Sequence, residues 1–419
     1  MRKLIATGLA LAWLAGCGLA MPVASSGSLA MPFFGHPATS KISEAPGAVG
    51  LPAEVAKVLA AQLSSNNRIE IFPDRTAYPA LERMLAGARH YILINVYSWS
   101  MDEPGMRIAN LLARKIQEGV QVRVIVDPLG QTEAQEGGLL VPWLRSRGIE
   151  TRYYDDKVIF PRGLLHFSHR KLYVVDGDRA MVGGMNIGYH YEQQWHDLLV
   201  QVVGESANQI QREWLLDWRW SKGGEISFLT FRPRSYGKVT AVAIATSPNE
   251  PGRGDEIRRV RFAMINGAKR RIWCSYPYWG DRKLVEQLGK AAARGVAVRV
   301  FFPYDNDVGV FKKINRFVVK ELLSRGVKVR WWVNNFAHGK YLVVDDILAV
   351  GSANADTSSL QYQQELDLLI CDLQLVADFV NKIPAANWLA AREVVPEDLR
   401  QSVTEWPAAQ FLNLVRFYL

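Results

Sequence analysis

The chain predicts an α/β fold: two tandem repeats of alternating strands and helices, packed about a pseudo-two-fold axis. Three observations carry this expectation. His169-Arg170-Lys171-Leu172-Tyr173-Val174-Val175-Asp176 returns as His338-Gly339-Lys340-Tyr341-Leu342-Val343-Val344-Asp345, so His-x-Lys-x-x-x-x-Asp occurs twice. Met84-Leu85-Ala86-Gly87-Ala88-Arg89 leads into the apolar run Ile92 to Val96, as Met264-Ile265-Asn266-Gly267-Ala268-Lys269 leads into Ile272 to Ser275. Beyond the motifs, Asn186 and Asn354 follow their histidines at spacings that differ by a single residue, and so do the acids Asp197 and Glu365. A pattern repeated at matching offsets is the signature of duplicated structural units.

The chain in order begins with Arg2 and Lys3 ahead of an apolar stretch, Leu4 to Ala15, too short to span a bilayer comfortably. Residues 1–17 therefore read as a secretory signal segment. Its end, Leu14-Ala15-Gly16-Cys17, resembles the lipobox of bacterial lipoproteins, in which Cys17 would carry the lipid anchor after cleavage. An ordinary signal cut after Gly18-Leu19-Ala20 is the alternative. Residues 18–52 are rich in Gly, Ala, Ser and Pro with almost no charge, the composition of a flexible tether.

The first repeat is expected over 53–235, with a short helix over Pro52 to Leu63 and a folded body from about Asn67. The second is expected over 236–385. Within each, a helix with one apolar face (Ile108, Leu111, Leu112 and Ile116; Leu284 and Leu288) follows a strand. Each helix stops at a Gly that opens another strand, at Gly119-Val120 and Gly295-Val296. Ser146-Arg147-Gly148-Ile149 and Ser324-Arg325-Gly326-Val327 repeat that punctuation. Such alternation calls for helices covering a sheet. Residues 386–419 read as a helical C-terminal segment. Its end, Trp406 to Leu419, is apolar apart from Arg416, and either lies in a membrane interface or packs back on the body.

Composition narrows the function classes. With 419 residues and 49% hydrophobic content the chain is long enough for two domains and too apolar for a disordered one. Its net charge of +9 favours an anionic partner, a phospholipid surface or nucleic acid, without choosing between them. The run Lys312, Lys313, Arg316, Lys320, Arg325, Lys328 and Arg330 reads equally as a contact for such a partner and as a solvated helix face. Three cysteines, Cys17, Cys274 and Cys371, fit neither a zinc cluster nor a disulfide framework. Cys274 and Cys371 sit in apolar, strand-like runs as small buried residues; a bridge between them would require an oxidising compartment.

Side chains alternate along a strand, so His169 shares a face with Lys171, and His338 with Lys340. Phosphodiester chemistry needs a nucleophile, a proton donor for the leaving alkoxide and fixed positive charge at the phosphoryl oxygens. One histidine per repeat supplies the first two. Lys171 and Lys340 would neutralise non-bridging oxygens, and Asn186 and Asn354 would donate hydrogen bonds to them. Asp197 and Glu365 would each accept the second ring N–H of a histidine and fix its tautomer. Asp176 and Asp345 complete the motifs but fall on the opposite strand face, where they are expected to organise the turn.

These two motifs, with Gly351-Ser352-Ala353-Asn354, resemble the phospholipase D superfamily, and within it the bacterial cardiolipin synthases. The resemblance runs from about Asn67 to Asp372 and takes in Tyr97 with Asp102, Trp195-His196-Asp197, Pro277-Tyr278, Pro303 with Asp307, and Gly351 to Asp356. It implies two phospholipase D-like halves around one active site, within one monomer. It also implies a covalent phospho-histidine, with His169 as nucleophile and His338 as acid and then base. No cofactor or metal is implied, and Lys171 beside His169 argues against zinc at His166, His169, His190 and His196. The expected substrates are a phospholipid and an alcohol acceptor at an anionic membrane, in the bacterial envelope on the periplasmic side. Two departures bear on substrate: Gly184 stands where Ser often follows the Gly, and Ser358 where Arg is common. Transfer of a phosphatidyl group leads; hydrolysis to phosphatidic acid, nuclease activity, and a binding protein with a retired site are the alternatives.

Overall fold

A computed structural model describes residues 62–154, 166–226 and 236–400, with Val55 and Leu59 helical ahead of them. The signal segment 1–17 with Cys17, the tether 18–52 and the stretch Trp406 to Leu419 lie outside the described residues.

Seven strands form the first half: β1 (Ser64–Pro73), β2 (Tyr91–Val96), β3 (Gln121–Val126), β4 (Glu150–Tyr153), β5 (Lys171–Val175), β6 (Arg179–Gly183) and β7 (Leu198–Val203). The second half repeats them as β8 (Val239–Thr246), β9 (Arg271–Ser275), β10 (Ala297–Pro303), β11 (Lys328–Trp332), β12 (Tyr341–Val344), β13 (Ile347–Gly351) and β14 (Glu365–Ile370), and adds β15 (Arg392–Glu393). The order is β4-β3-β2-β5-β6-β7-β1-β8-β14-β13-β12-β9-β10-β11-β15, a palindrome about the β1–β8 pair with β15 appended. In each half the outer strands run parallel (β2, β3, β4; β9, β10, β11) and the inner ones antiparallel. The β1–β8 contact is thin, holding Ser64 to Ala241 and Asn67 to Val239 with a register irregularity between them.

Parallel strands need crossovers, and helices supply them on the outer faces. Asp102 caps the helix Glu103–Gln117 by accepting the Gly105 N–H at 3.1 Å, and Asp281 caps Arg282–Ala293 through the Leu284 N–H at 2.8 Å. Gly119 and Gly295, at φ of +85° and +89°, end the chain's first pass over each sheet in a conformation that only glycine adopts without strain. Two apolar layers lie under these outer helices. A third, inner layer joins the halves: Leu93, Leu172 and Val174 of the first meet Trp273, Phe301 and Val343 of the second. The helix Glu205–Trp220 contributes the stacked Trp214 and Trp218 to that layer, and Leu373–Val380 contributes Val376 and Phe379.

Two differences from the sequence reading have physical causes. β1 starts three residues earlier than Asn67, because Ser64 finds a backbone partner on β8. The described part of the C-terminal segment is built into the second half: after the helix Ala386–Ala390, Arg392 and Glu393 pair antiparallel with Trp331 and Arg330. Asp398 then accepts Trp331 Nε1–H at 3.1 Å, so the exposed edge of β11 is covered, as an open row of N–H and C=O groups requires. The basic run is largely engaged: Arg316 bonds the Asp398 carbonyl, Arg325 pairs with Glu321, Arg330 with Glu393 and Lys312 with Asp305. Cys274 and Cys371 are free thiols, the first buried in β9 and the second just past β14. Among the described residues no helix is long and apolar enough to cross a membrane.

Candidate active site

The palindrome brings the predicted residues to one edge of the sheet. His169 precedes β5, Asn186 follows β6 and Asp197 precedes β7; His338 precedes β12, Asn354 follows β13 and Glu365 opens β14. Here the halves are sewn together by backbone bonds. His169 N–H donates to the Gln364 carbonyl and Gln364 N–H to the Phe167 carbonyl, both at 3.0 Å. On the other side of the axis, His196 N–H donates to the Phe336 carbonyl at 2.9 Å, and His338 N–H to the His196 carbonyl at 2.8 Å.

That docking crosses the acids over. His169 Nδ1 lies 2.8 Å from Glu365 Oε1, and His338 Nδ1 lies 2.6 Å from Asp197 Oδ2. Each histidine is thus oriented by the carboxylate of the opposite half. With a carboxylate as acceptor, Nδ1 carries the proton and Nε2 is left as the reactive nitrogen. The sets also share one field: the Lys340 charge acts on His169, and the Lys171 charge on His338.

Burial governs the protonation states. It presses His169 down to about 4, against the pull of Glu365, and His338 down to about 3, with Lys340 adding to the effect and Asp197 opposing it. Both rings are therefore neutral near pH 7. For Asp197 and Glu365 burial alone would raise the carboxyl, but the facing His338 and His169, then Lys340 and Lys171, outweigh it and hold both below the ordinary range. Burial lowers Lys340 to about 8 and moves Lys171 in the same direction. Each amine folds back to the carbonyl of its own histidine at 2.6 Å, and Lys340 Nζ also lies 2.9 Å from His338 Nε2.

The asparagines sit one loop away. Asn186 Nδ2–H donates to Tyr191 Oη at 2.7 Å and its Oδ1 accepts the Ser98 N–H at 3.1 Å. Asn354 Nδ2–H reaches Ser359 Oγ at 3.3 Å, while its buried Oδ1 has no hydrogen-bond partner among the described residues. Aromatic rings surround the two histidines: Trp195 and Tyr191 lie 4.9 and 5.6 Å from the His338 ring, and Tyr97 lies 5.3 Å from that of His169.

Asp176 and Asp345 are not brought to this pocket. At the far ends of β5 and β12, at φ of +52° and +51°, each accepts three successive backbone N–H groups: Arg89, His90 and Tyr91 for Asp176, and Lys269, Arg270 and Arg271 for Asp345. The other histidines disperse. His190 packs on Trp195, while His166 faces Tyr362 and His196 pairs with Asp74. No three potential ligands gather around a metal-sized gap among the described residues.

Reasoning from the sequence missed two supports. Ser352 Oγ–H donates to Glu365 Oε2. Arg170, fully buried between Asp217 and Glu213, donates Nε–H to the Glu365 carbonyl at 3.2 Å. Strand alternation was the available signal for Arg170, since it places that side chain opposite His169 and Lys171.

The two His–acid pairs differ where Ser352 supports Glu365. Gly184 occupies the place of Ser352, and a Cβ there would stand 2.3 Å from Asp197 Oδ1. Gly184→Ser should therefore turn the Asp197 carboxylate off His338 and lower kcat/KM by about 10- to 100-fold, the scale of one lost buried hydrogen bond to a charged group. Steady-state kinetics at unchanged circular dichroism checks this; wild-type activity in the variant would contradict the close approach. In histidine ring nitrogen NMR, His169 and His338 should keep neutral-ring shifts from pH 8 down to 5, as burial holds them at about 4 and 3. A midpoint near the ordinary histidine value would contradict the burial.

Residues 81–220 and 262–386 match the family model described as "Cardiolipin synthase, PLD-like domain". Cardiolipin synthase of Listeria monocytogenes serotype 4a (strain HCC23) is 30% identical over 326 residues, covering 75% of this chain and 67% of the relative. Cardiolipin synthase A of Pseudomonas entomophila (strain L48) is 30% identical over 352 residues, covering 81% and 72%. Among solved structures, phosphatidylserine synthase of Haemophilus influenzae Rd KW20 superposes with a TM-score of 0.67 over 84% of this chain and 95% of that one, at 14% identity, a likeness of fold. Two matched domains that fill most of the chain, on a duplicated fold, make this protein a member of the phospholipase D superfamily, of the cardiolipin synthase type.

Proposed function

We propose that the chain is a phosphatidyltransferase that joins two phosphatidylglycerol molecules into cardiolipin and glycerol. The observation that carries the proposal is the crosswise pairing of His169 with Glu365 and His338 with Asp197. It presents two neutral imidazoles, each with its Nδ1 proton committed, to one lysine-lined pocket.

In the first step His169 Nε2 attacks the phosphorus of the donor lipid. The P–O bond to the glycerol headgroup breaks, and a proton on His338 Nε2 passes to the departing oxygen. Negative charge that builds on the non-bridging oxygens is met by Lys171 and Lys340. An anionic phosphodiester beside them favours their charged forms and raises the His338 ring from its resting value, which loads the acid as the substrate binds. Glu365 stabilises the cationic phospho-histidine ring. In the second step the hydroxyl of another phosphatidylglycerol gives its proton to His338 Nε2, its oxygen attacks phosphorus, and the bond to His169 breaks. Asn186 and Asn354 brace the loops that frame the phosphate, and Asp176 and Asp345 fix the turns behind the motif strands.

The relatives named as cardiolipin synthases favour transfer over hydrolysis. The chain works at a bacterial membrane, and the Leu14-Ala15-Gly16-Cys17 sequence supports secretion followed by anchoring through Cys17.

Incubation of the purified protein with labelled phosphatidylglycerol should yield cardiolipin and glycerol by mass spectrometry. Phosphatidic acid alone would replace transfer by hydrolysis, and DNA cleavage without lipid turnover would sink both. His169→Ala or His338→Ala alone should reduce turnover by about three orders of magnitude or more, as for other nucleophiles and bases that act as a unit. For the anchor, palmitate label should enter the wild-type protein in bacteria and be lost in Cys17→Ala; equal labelling of both would remove the lipoprotein reading.

A further inference from the structure

Asp74, just past β1, is not among the motif residues, yet it grips the loop that carries Asp197. Its backbone takes the left-handed conformation at φ +51°. Its own N–H donates to the Asp197 carbonyl at 2.8 Å, and its Oδ1 accepts the Asp197 N–H at 3.0 Å. The same carboxylate receives His196 Nδ1–H at 2.9 and 3.0 Å. On the far side of the ring, Asn387 Nδ2–H reaches His196 Nε2 at 2.7 Å, and the ring stacks on Trp332 at 4.8 Å. The His196 carbonyl meanwhile accepts the N–H groups of His338 and Gly339 at 2.8 and 3.0 Å. Asp74 and His196 therefore hold both the acid and the backbone of the His338 pair from outside the pocket.

The first-motif pair is built otherwise. Glu365 is secured by Ser352 and by Arg170, whose Nη2–H reaches Ser247 Oγ at 2.6 Å just past β8, the strand that mirrors β1. Ser247 thus stands where the palindrome would put an equivalent of Asp74. One acid is braced by a buried cation and a hydroxyl, the other by a carboxylate and an imidazole.

We propose that Asp74, acting with His196, is a positioning residue for the proton-transferring histidine: it fixes Asp197 on His338 and leaves the His169–Glu365 pair alone. This rests on the reading of His338 as acid and base, and it predicts a defect confined to proton delivery. A phosphodiester with an alkyl leaving group needs that proton, whereas p-nitrophenolate departs without it.

The test compares the first-turnover burst of full-length protein on an alkyl and on a p-nitrophenyl ester of phosphatidic acid. Asp74→Ala should slow the alkyl ester by about 10- to 100-fold, part of what general acid catalysis supplies, with KM changed less than about twofold. The p-nitrophenolate burst should stay within about threefold of wild type. His196→Gln should give the same split, which keeps the test open if Asp74→Ala does not fold. Equal losses on both esters in a folded variant, or a change in KM alone, would overturn the proposal. With phosphatidylglycerol added as acceptor, wild-type cleavage of both esters without cardiolipin formation would overturn only the transfer reading.

Discussion

Four ionisable groups at the centre of this molecule are almost wholly out of water, and each survives there because its partner comes from the other half. A buried carboxylate or imidazole without a partner costs several kcal/mol. His169 cannot be satisfied within its own repeat, since Asp197 is committed to His338, and the reverse holds for Glu365. The geometry of the candidate site and the association of the halves are therefore one interaction seen from two sides. The palindromic sheet, the inner apolar layer and the backbone bonds at Gln364 and His196 all serve to keep those crossed pairs in register.

Duplication made the chemistry symmetric without making the supports symmetric. The first motif carries Arg170 where the second has Gly339, and the second half carries Ser352 where the first has Gly184. Arg170 ties its own motif to the end of β8 and to the Glu365 backbone, so its buried charge also bridges the halves. Two like imidazoles are thus set in different frames.

Much of this could be read from the residues alone. The doubled His-x-Lys pattern, the alternation of apolar runs with helical faces, and the recurring Asn and acid put the fold and the site set in reach. The opposite-face position of Asp176 and Asp345 followed from the two-residue period of a strand, and both indeed cap backbone turns. The crossing of the acids was not readable. Spacing relates Asp197 to His169 and Glu365 to His338, and near-identical offsets fit pairing within a half as well as between halves. Asp74 and Arg170 escaped for a similar reason: their partners are set by the approach of distant strands. β15 was hidden because two residues carry no periodicity, and the edge they cover exists only once the sheet has formed.

The span of those contacts also says when the molecule becomes competent. The His169–Glu365 and His338–Asp197 pairs close loops of 196 and 141 residues. Contacts so remote in sequence form late, after local helices and hairpins have paid most of the chain's ordering entropy. The β1–β8 strand pairing is too short to impose the arrangement earlier. A chain whose halves have yet to dock holds each of these imidazoles without its carboxylate. The two His–acid pairs are therefore complete only once both halves of the chain have closed on each other.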